Sequence, residues 1–231
     1  MLAFLIAPVF AFAQYDDGIN QPDQDYKNFH FGITLGVNGS HYKFTHHPRF
    51  LQYDSVMVVE SLNSTGISLA WMVDKRISDH FSFRTYPVDL IFTEKAFEYN
   101  LSYPNRPAGE DSISIRKIQG ITLALPLQLK FNSDRIANFR VYMMGGGYIS
   151  YDMAANKNKT NAENLMKLDK FDYGLETGLG FHLYFPMFVL TPEIKVSWGL
   201  NDMHSRDPDL KYSNVIDKIN ARSIIFSLTV E

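Results

Sequence analysis

The chain contains no cysteine, which excludes disulfide scaffolds, thiol catalysis and thiolate metal sites. It has no basic run longer than a dipeptide and a formal net charge of −3, so it lacks the electrostatic footprint of a nucleic-acid-binding protein. Tryptophan is scarce, with 2 residues, whereas 18 Phe and 13 Tyr raise the aromatic content to 14%. Of the 231 residues, 45% are hydrophobic and 20% are charged, a balance that predicts a packed core rather than disorder.

The beginning of the chain is predicted to be a targeting segment. Leu2–Phe12 is an apolar run too short to cross a bilayer, and it ends in the small-x-small pattern Ala11-Phe12-Ala13. We therefore expect a signal peptide over residues 1–13, with a buried N-terminal strand as the alternative. No basic residue precedes the run, as expected if the signal is truncated. Residues 14–27 are predicted to be an unstructured polar periplasmic segment, and residues 28–231 the folded domain.

Beyond residue 27, apolar residues alternate with polar or small ones. This period of two predicts β-strands, because successive side chains of a strand point to opposite faces. No window has the spacing of an amphipathic helix, so almost no helix is expected. The faces are mixed in two of the predicted strands, residues 81–92 and 138–151. The eight predicted strands centre on residues 29–37, 67–73, 81–92, 121–131, 138–151, 171–185, 188–200 and 224–230.

The connections between these strands alternate in length. Short ones lie near residues 74–79, 132–137 and 186. An even number of strands with short turns on one side and long loops on the other is the plan of an outer-membrane barrel. We therefore expect an all-β, eight-stranded antiparallel up-and-down transmembrane barrel with short periplasmic turns and long extracellular loops. The long polar connections cover residues 39–65, 93–113, 152–169 and 201–220.

Strand length and face chemistry separate this barrel from a soluble, lipocalin-like barrel with an apolar interior. About 11 residues at about 3.3 Å each, tilted near 40°, span roughly 28 Å, close to the apolar band of about 25 Å. The polar face of residues 172–184 contains three glycines and two carboxylates, which suits the crowded inside of a narrow barrel better than a solvated surface. The apolar face ends in aromatic residues, as interfacial girdles require. The membrane barrel is favoured, and the soluble barrel remains the alternative.

Ionisable residues within the strands are predicted to face the lumen, because a charge in lipid costs about 2–4 kcal/mol near the midplane. An eight-stranded barrel is just wide enough for its own side chains, so these charges would form a salt-bridged interior without a pore. Arg222 is expected to point inward as well. The predicted lumen charge network consists of Arg84, Lys130, Arg140, Glu176, Glu193 and Lys195.

Motifs for catalysis and cofactor binding are weak. His46 and His47 are adjacent and would point apart on an extended chain, so a solvated loop is favoured over a metal site. Gly145-Gly146-Gly147 lies in a predicted strand with no helix after it, which does not match a phosphate-binding loop. His80 and His182 have no nucleophile near them in the chain. We therefore expect no enzymatic activity, no cofactor and no small-molecule substrate.

Several segments carry a resemblance to a known family. They are Asn28–Asn38, Leu125–Phe131, Asn138–Tyr142 with the following Gly145-Gly146, Thr191–Asn201 and Tyr212–Ile219. These segments resemble the PorT proteins, which are outer-membrane barrels of Bacteroidetes that belong to the type IX secretion system. The resemblance covers nearly the whole chain from about residue 28.

The resemblance implies a non-enzymatic component needed to export proteins with C-terminal sorting domains, such as proteases, adhesins and gliding-motility proteins. Its partners would be outer-membrane lipid and components of the type IX translocon. A filled barrel is too narrow for folded cargo, so an accessory or assembly factor is expected. The competing class is a passive barrel that acts as an adhesin or surface-binding module through its loops.

The first long loop is the predicted partner contact. It contains the apolar stretch Val56, Met57, Val58 and Val59, which a merely solvated loop would not need. Exposed apolar patches often mark interaction surfaces. The alternative is a loop that folds over its own barrel opening.

Overall fold

The structure is a computed structural model that describes residues 18–46, 56–62, 64–101, 113–154, 169–203 and 216–231. A short 3-10 helix, Gln24–Tyr26, precedes the first strand. No helix in these residues is long and apolar enough to cross a membrane. The strands are β1 Phe29–His46, β2 Val56–Leu62, β3 Ser64–Arg76, β4 Phe81–Leu101, β5 Ile113–Asn132, β6 Phe139–Asp152, β7 Phe171–Tyr184, β8 Val189–Gly199 and β9 Ile216–Val230.

Antiparallel hydrogen bonding joins all strands except β2 into a closed ring. The order is β4-β3-β1-β9-β8-β7-β6-β5, and the β4–β5 pairing closes it. β2 pairs with the loop-side end of β4, beyond the part of β4 that pairs with β3. β2 therefore extends the barrel wall beyond the end of β3, and it is not an additional strand of the closed ring. The predicted eight-stranded closed antiparallel barrel is confirmed.

The barrel has an apolar outside and a polar inside. In β7, Asp172 and Gly174 are buried, whereas Phe171 and Tyr173 on the alternate positions are exposed. The same alternation holds around the ring, because side chains of a strand point in turn to each face. A soluble barrel would bury the apolar set, so the lipocalin-like alternative is wrong. Outward apolar side chains include Ile33, Leu35, Val37, Leu175, Leu179, Phe226 and Leu228.

Several strands continue beyond the segments that alternation predicts. β1 runs to His46, β4 to Leu101, and β5 starts at Ile113. Parts of the connections expected at residues 39–65 and 93–113 are therefore strand rather than loop. The hydrophobic period comes from contact with lipid, so it cannot report strand that continues past the membrane.

β4 contains a bulge at Pro87. Tyr86 is fully buried, Pro87 and Val88 are both exposed, and Asp89 is buried again. The pairing of β4 with β5 shifts register between Thr85 and Asp89. Proline lacks the N–H that a ladder bond needs, and a bulge re-aims the side chains that follow it. This bulge explains why the two faces of this strand are mixed in the sequence.

The described part of the N-terminal segment packs against the turn-side end of the barrel. The backbone N–H of Asn20 donates to Oδ1 of Asn138 at 2.8 Å, and its side-chain amide donates to the carbonyl of Tyr184 at 3.0 Å. Gln21 reaches the carbonyl of Phe185 at 2.7 Å. Residues 18–27, which we expected to be unstructured, instead lie against the barrel and include the 3-10 helix.

Candidate functional site in the lumen

Five charged side chains form a central ion network inside the barrel. Arg84 is 0% exposed, and its Nη1 donates to Oε2 of Glu193 at 2.9 Å. Nη2 of Arg84 lies 3.0 Å from Oδ2 of Asp74. The same Asp74 oxygen lies 2.5 Å from Nζ of Lys130, and Oε1 of Glu193 lies 3.5 Å from Nζ of Lys195. Cations and carboxylates therefore alternate across the lumen from Lys130 on β5 to Lys195 on β8.

Two tyrosines complete the coordination of Glu193. The Tyr142 hydroxyl donates to Oε2 at 2.5 Å, and the Tyr86 hydroxyl donates to Oε1 at 3.4 Å. The Arg84 guanidinium lies 5.0 Å from the centre of the Tyr142 ring, and Nζ of Lys195 lies 4.4 Å from that of Tyr86. Such contacts place each buried cation against both a carboxylate and an aromatic face. Burial of these charges is tolerated because each lies within 3.5 Å of an opposite charge.

Glycines on β7 leave the space that the large side chains occupy. A Cβ atom at Gly180 would overlap the ring and hydroxyl of Tyr142, and one at Gly178 would overlap Cε of Met144. Both glycines lie on the buried face of β7. The absence of a side chain at Gly180 therefore leaves the space in which the Tyr142 hydroxyl reaches Glu193.

The structure brings four of the six predicted network residues together: Arg84, Lys130, Glu193 and Lys195. Glu176 is buried nearer the loops, where it accepts a hydrogen bond from the side-chain amide of Gln128. In the described part of the chain, no cation lies within ion-pair distance of Glu176. Arg140 stands apart at the turn end, where its Nη1 lies 3.1 Å from Oδ1 of Asp25.

Asp74 is the network residue that the sequence reading missed. Residues 74–79 are predicted to be a short connection, but β3 continues to Arg76. The signal was present, because Asp74 continues the alternate inward positions occupied by Ala70 and Met72. A carboxylate at the end of a polar face can be either the last strand residue or the first turn residue, and only the pairing distinguishes the two.

The prediction that Arg222 points inward is wrong. Arg222 is exposed on the outward face of β9 and pairs with Trp198 of β8. This pair is the last one toward the loops, away from the membrane midplane where a charge is most costly. The free-energy cost of an outward charge is therefore smaller for Arg222 than it would be at the membrane midplane.

Asp25 fastens the N-terminal segment to the turn end of the barrel. Its Oδ2 lies 3.1 Å from Nη1 of Arg135, and its Oδ1 lies 3.1 Å from Nη1 of Arg140. The Tyr184 hydroxyl also donates to Oδ1, at 2.7 Å. The Arg135 guanidinium stacks on the Tyr184 ring at 3.6 Å from its centre. One carboxylate of the N-terminal segment thus binds three side chains of the barrel.

Cavities lie on both sides of the central ion network. The larger, of about 90 Å³, is at the loop end and is lined by Asp89, Tyr148 and Glu176 among others. The smaller, of about 40 Å³, is at the turn end beside Asp25 and Lys130. The network side chains occupy the lumen between the two. We call the first the loop-side cavity.

The predicted partner contact, Val56–Val59, belongs to strand β2 rather than to an irregular loop. Val56 pairs with Leu101 and Val59 with Tyr99, both on β4. Among the described strands, β4 is the one hydrogen-bonded neighbour of β2. His46 ends β1 and His47 lies outside the described residues. Within those residues, no group of three or more His, Asp or Glu side chains is arranged to hold a metal ion.

The sequence matches the family described as outer membrane protein beta-barrel domain over residues 12–205. This match covers most of the chain, so the protein belongs to that family and is a β-barrel protein of the bacterial outer membrane. No curated protein matches the chain.

Solved structures similar to the chain include three outer-membrane proteins. The outer membrane protein OprG from Pseudomonas aeruginosa is 12% identical, with a TM-score of 0.46, over 87% of this chain and 93% of that one. Neisserial surface protein A is 10% identical, with a TM-score of 0.45, over 88% and 99%. The attachment invasion locus protein Ail of Yersinia pestis, in complex with the heparin analogue sucrose octasulfate, is 11% identical, with a TM-score of 0.41, over 88% and 99%.

Proposed function

We propose that this barrel is a non-enzymatic accessory or assembly factor of the type IX secretion system, required for export of proteins with C-terminal sorting domains. The PorT-like segments support the choice of system. The observation that carries the accessory role is the central ion network, because buried Arg84, Glu193 and Asp74 occupy the lumen through which a cargo would have to pass. The translocation path is therefore supplied by a larger partner.

The surface that we propose for this partner is the wall that rises beyond the membrane. β4 and β5 contain 21 and 20 residues, whereas about 11 suffice to span the apolar band. β2 lies at the edge of this rising wall, and extended chains dock on such edges by adding a strand. Val56–Val59 of β2 is the proposed contact with a translocon component.

The second candidate function is a passive barrel that acts as an adhesin or surface-binding module. The same long β4–β5 hairpin favours it, because a wall that rises above the membrane can present loops to an external ligand. The two functions differ in what loss of the protein does to secretion. An adhesin is dispensable for export, whereas an accessory factor is not.

Deletion of the gene tests this difference. We expect cargo with type IX sorting domains to accumulate in the periplasm, while other outer-membrane barrels still insert and a plasmid copy of the gene restores export. Surface protease activity or gliding should fail together with export. Normal surface delivery of such cargo in the deletion strain, with loss of cell adhesion alone, would contradict the accessory role and support the adhesin.

The proposed contact is tested by replacing Val56, Met57, Val58 and Val59 together with Ser. The control is Met187→Ser, which replaces an apolar side chain that is 93% exposed on the turn side. Both variants should still resist SDS until heated, because closed strand-to-strand bonding is retained. We expect the quadruple variant alone to lose export and co-purification of the translocon. Export and co-purification that survive in a heat-modifiable quadruple variant would exclude β2 as the contact.

A further inference from the structure

The loop-side cavity contains a buried carboxylate with one oxygen that has no hydrogen-bond partner. Asp89 is 5% exposed, and its Oδ1 accepts no hydrogen bond. Glu176 lines the same cavity and is 7% exposed. A buried anion without a partner is costly, because water can no longer solvate it and no protein group replaces the water.

The cations of the lumen are already engaged elsewhere. Each has a carboxylate within ion-pair distance on the turn side of the cavity, as the distances within the central ion network establish. Among the described residues, no Lys, Arg or His lies within that distance of Asp89 or Glu176. The central ion network contains three cations and two carboxylates. The cavity is lined instead by four carboxylates, Asp89, Asp152, Asp172 and Glu176, and by two cations, Lys170 and Arg222. Negative charge is therefore in excess around the cavity.

The bulge at Pro87 is what directs Asp89 into the cavity. With regular alternation from Arg84 and Tyr86, the next inward residue would be Val88, and Asp89 would face lipid. The two consecutive outward residues, Pro87 and Val88, reverse this phase. Bulges of this kind occur next to binding and active sites, where they re-aim a side chain.

We propose that the loop-side cavity binds a small organic cation with a single ammonium group. Asp89 supplies the carboxylate that pairs with it, and Glu176 adds a second negative charge. The cavity, about 90 Å³, has room for such a group. Tyr148 also lines it, and an aromatic ring is a favourable neighbour for a cation. A metal ion is a poorer fit, because the carboxylates of the described residues are not grouped as metal ligands.

Binding can be measured with methylammonium chloride on the full chain in a nonionic detergent, with sodium chloride of equal ionic strength as reference. A ligand that binds only the folded state raises the unfolding temperature in a saturable way. We expect this for the wild-type protein. Asp89→Asn should reduce the affinity at least tenfold, and Glu176→Gln should reduce it less. Asp134→Asn, the same charge change on an exposed turn, should leave it unchanged.

Three results would overturn the proposal. One is the absence of saturable stabilisation in the wild-type protein beyond the sodium chloride reference. Another is equal affinity in Asp89→Asn and Asp134→Asn. The third is an equal, Asp89-dependent effect of Mg²⁺ or Ca²⁺, which would assign the cavity to a metal ion. If Asp89→Asn does not fold, Glu176→Gln and Tyr148→Leu provide the comparison, and unchanged affinity in both contradicts the proposal.

Discussion

The central ion network and the loop-side cavity differ in the partners of their buried carboxylates. In the network, Asp74 and Glu193 each contact two cations, and Glu193 also accepts hydrogen bonds from two tyrosines. On the loop side, Asp89 has no such partner and Glu176 has an amide. Both pairs are buried, so burial alone does not explain the difference.

This contrast separates stability from binding within a single barrel. Ion pairs in a buried site are strongly coupled, and removal of one member leaves the other without compensation. A carboxylate beside a cavity has no ion-pair partner that would lose its compensation. Its replacement should therefore change the free energy of unfolding less. We therefore assign structural stability to the central ion network and ligand binding to the loop-side cavity.

Among the variants that test this contrast, Glu193→Gln should cause the largest loss in the free energy of unfolding. It removes the anion that both Arg84 and Lys195 contact while it preserves the side-chain volume. We expect a loss of about 3–5 kcal/mol in the free energy of unfolding, as for other buried pairs that lose one partner. Urea unfolding in lipid vesicles measures it, with Asp134→Asn as the control. A loss no larger than that of the control would mean that the network does not stabilise the barrel.

Gly180→Ala should cause the next largest loss in the free energy of unfolding. The added methyl group would push the Tyr142 ring away from its position beside Glu193, and overpacking of this kind costs about 1–3 kcal/mol. Gly39→Ala is the matched control, because a Cβ there meets nothing within 4 Å. Equal unfolding midpoints for the two variants would show that the interior accommodates the added methyl group beside Tyr142 without a loss of stability.

Glu176→Ala should have a smaller effect, of about 1 kcal/mol. It leaves the amide of Gln128 without its acceptor, but the adjoining cavity can supply water to that amide. From the sequence alone, Glu176 is expected to pair with a buried cation, so that its loss would cost as much as that of a buried ion-pair partner, about 3–5 kcal/mol. The same urea titration distinguishes the two. A loss equal to that of Glu193→Gln would mean that Glu176 pairs with a buried cation.

Asp25→Asn should have the smallest effect on global stability, below about 1 kcal/mol, because its partly buried ion pairs at the turn end keep contact with water and Asn retains one oxygen that can accept hydrogen bonds. Its effect should be local. The backbone N–H groups of Tyr26 and Lys27, which are bonded within the 3-10 helix, should exchange with deuterium faster than in the wild-type protein. Unchanged exchange at these positions would mean that Asn20 and Gln21 hold the segment without Asp25.

The sequence predicts the ring of strands well where one face meets lipid and the other meets the lumen. β7 is the best example, since its period is unbroken from Phe171 to Tyr184. The bulge in β4 could not be predicted, because Pro87 breaks the period and leaves Asp89 without an assignable face. The continuation of β4 and β5 past the membrane was missed for the reason that no lipid imposes alternation there.

The site was predictable only in part. Charge cost indicates that Arg84, Lys130, Glu193 and Lys195 face inward, but it does not indicate which of them touch. Pairing distances depend on strand register and on the space left by Gly180, and neither is encoded in the alternation of hydrophobic residues. The N-terminal segment was missed because its attachment depends on side chains far away in the sequence, such as Arg135 and Tyr184.

The central claim is that the lumen is filled by the ion network and does not conduct. Reconstitution of the purified protein in a planar bilayer tests it most directly. We expect no stable conductance from the wild-type protein, because Arg84, Asp74 and Glu193 occupy the lumen between the two cavities. Heat-modifiable migration on a gel confirms that the sample is folded. A large and steady current from such a sample would contradict the account.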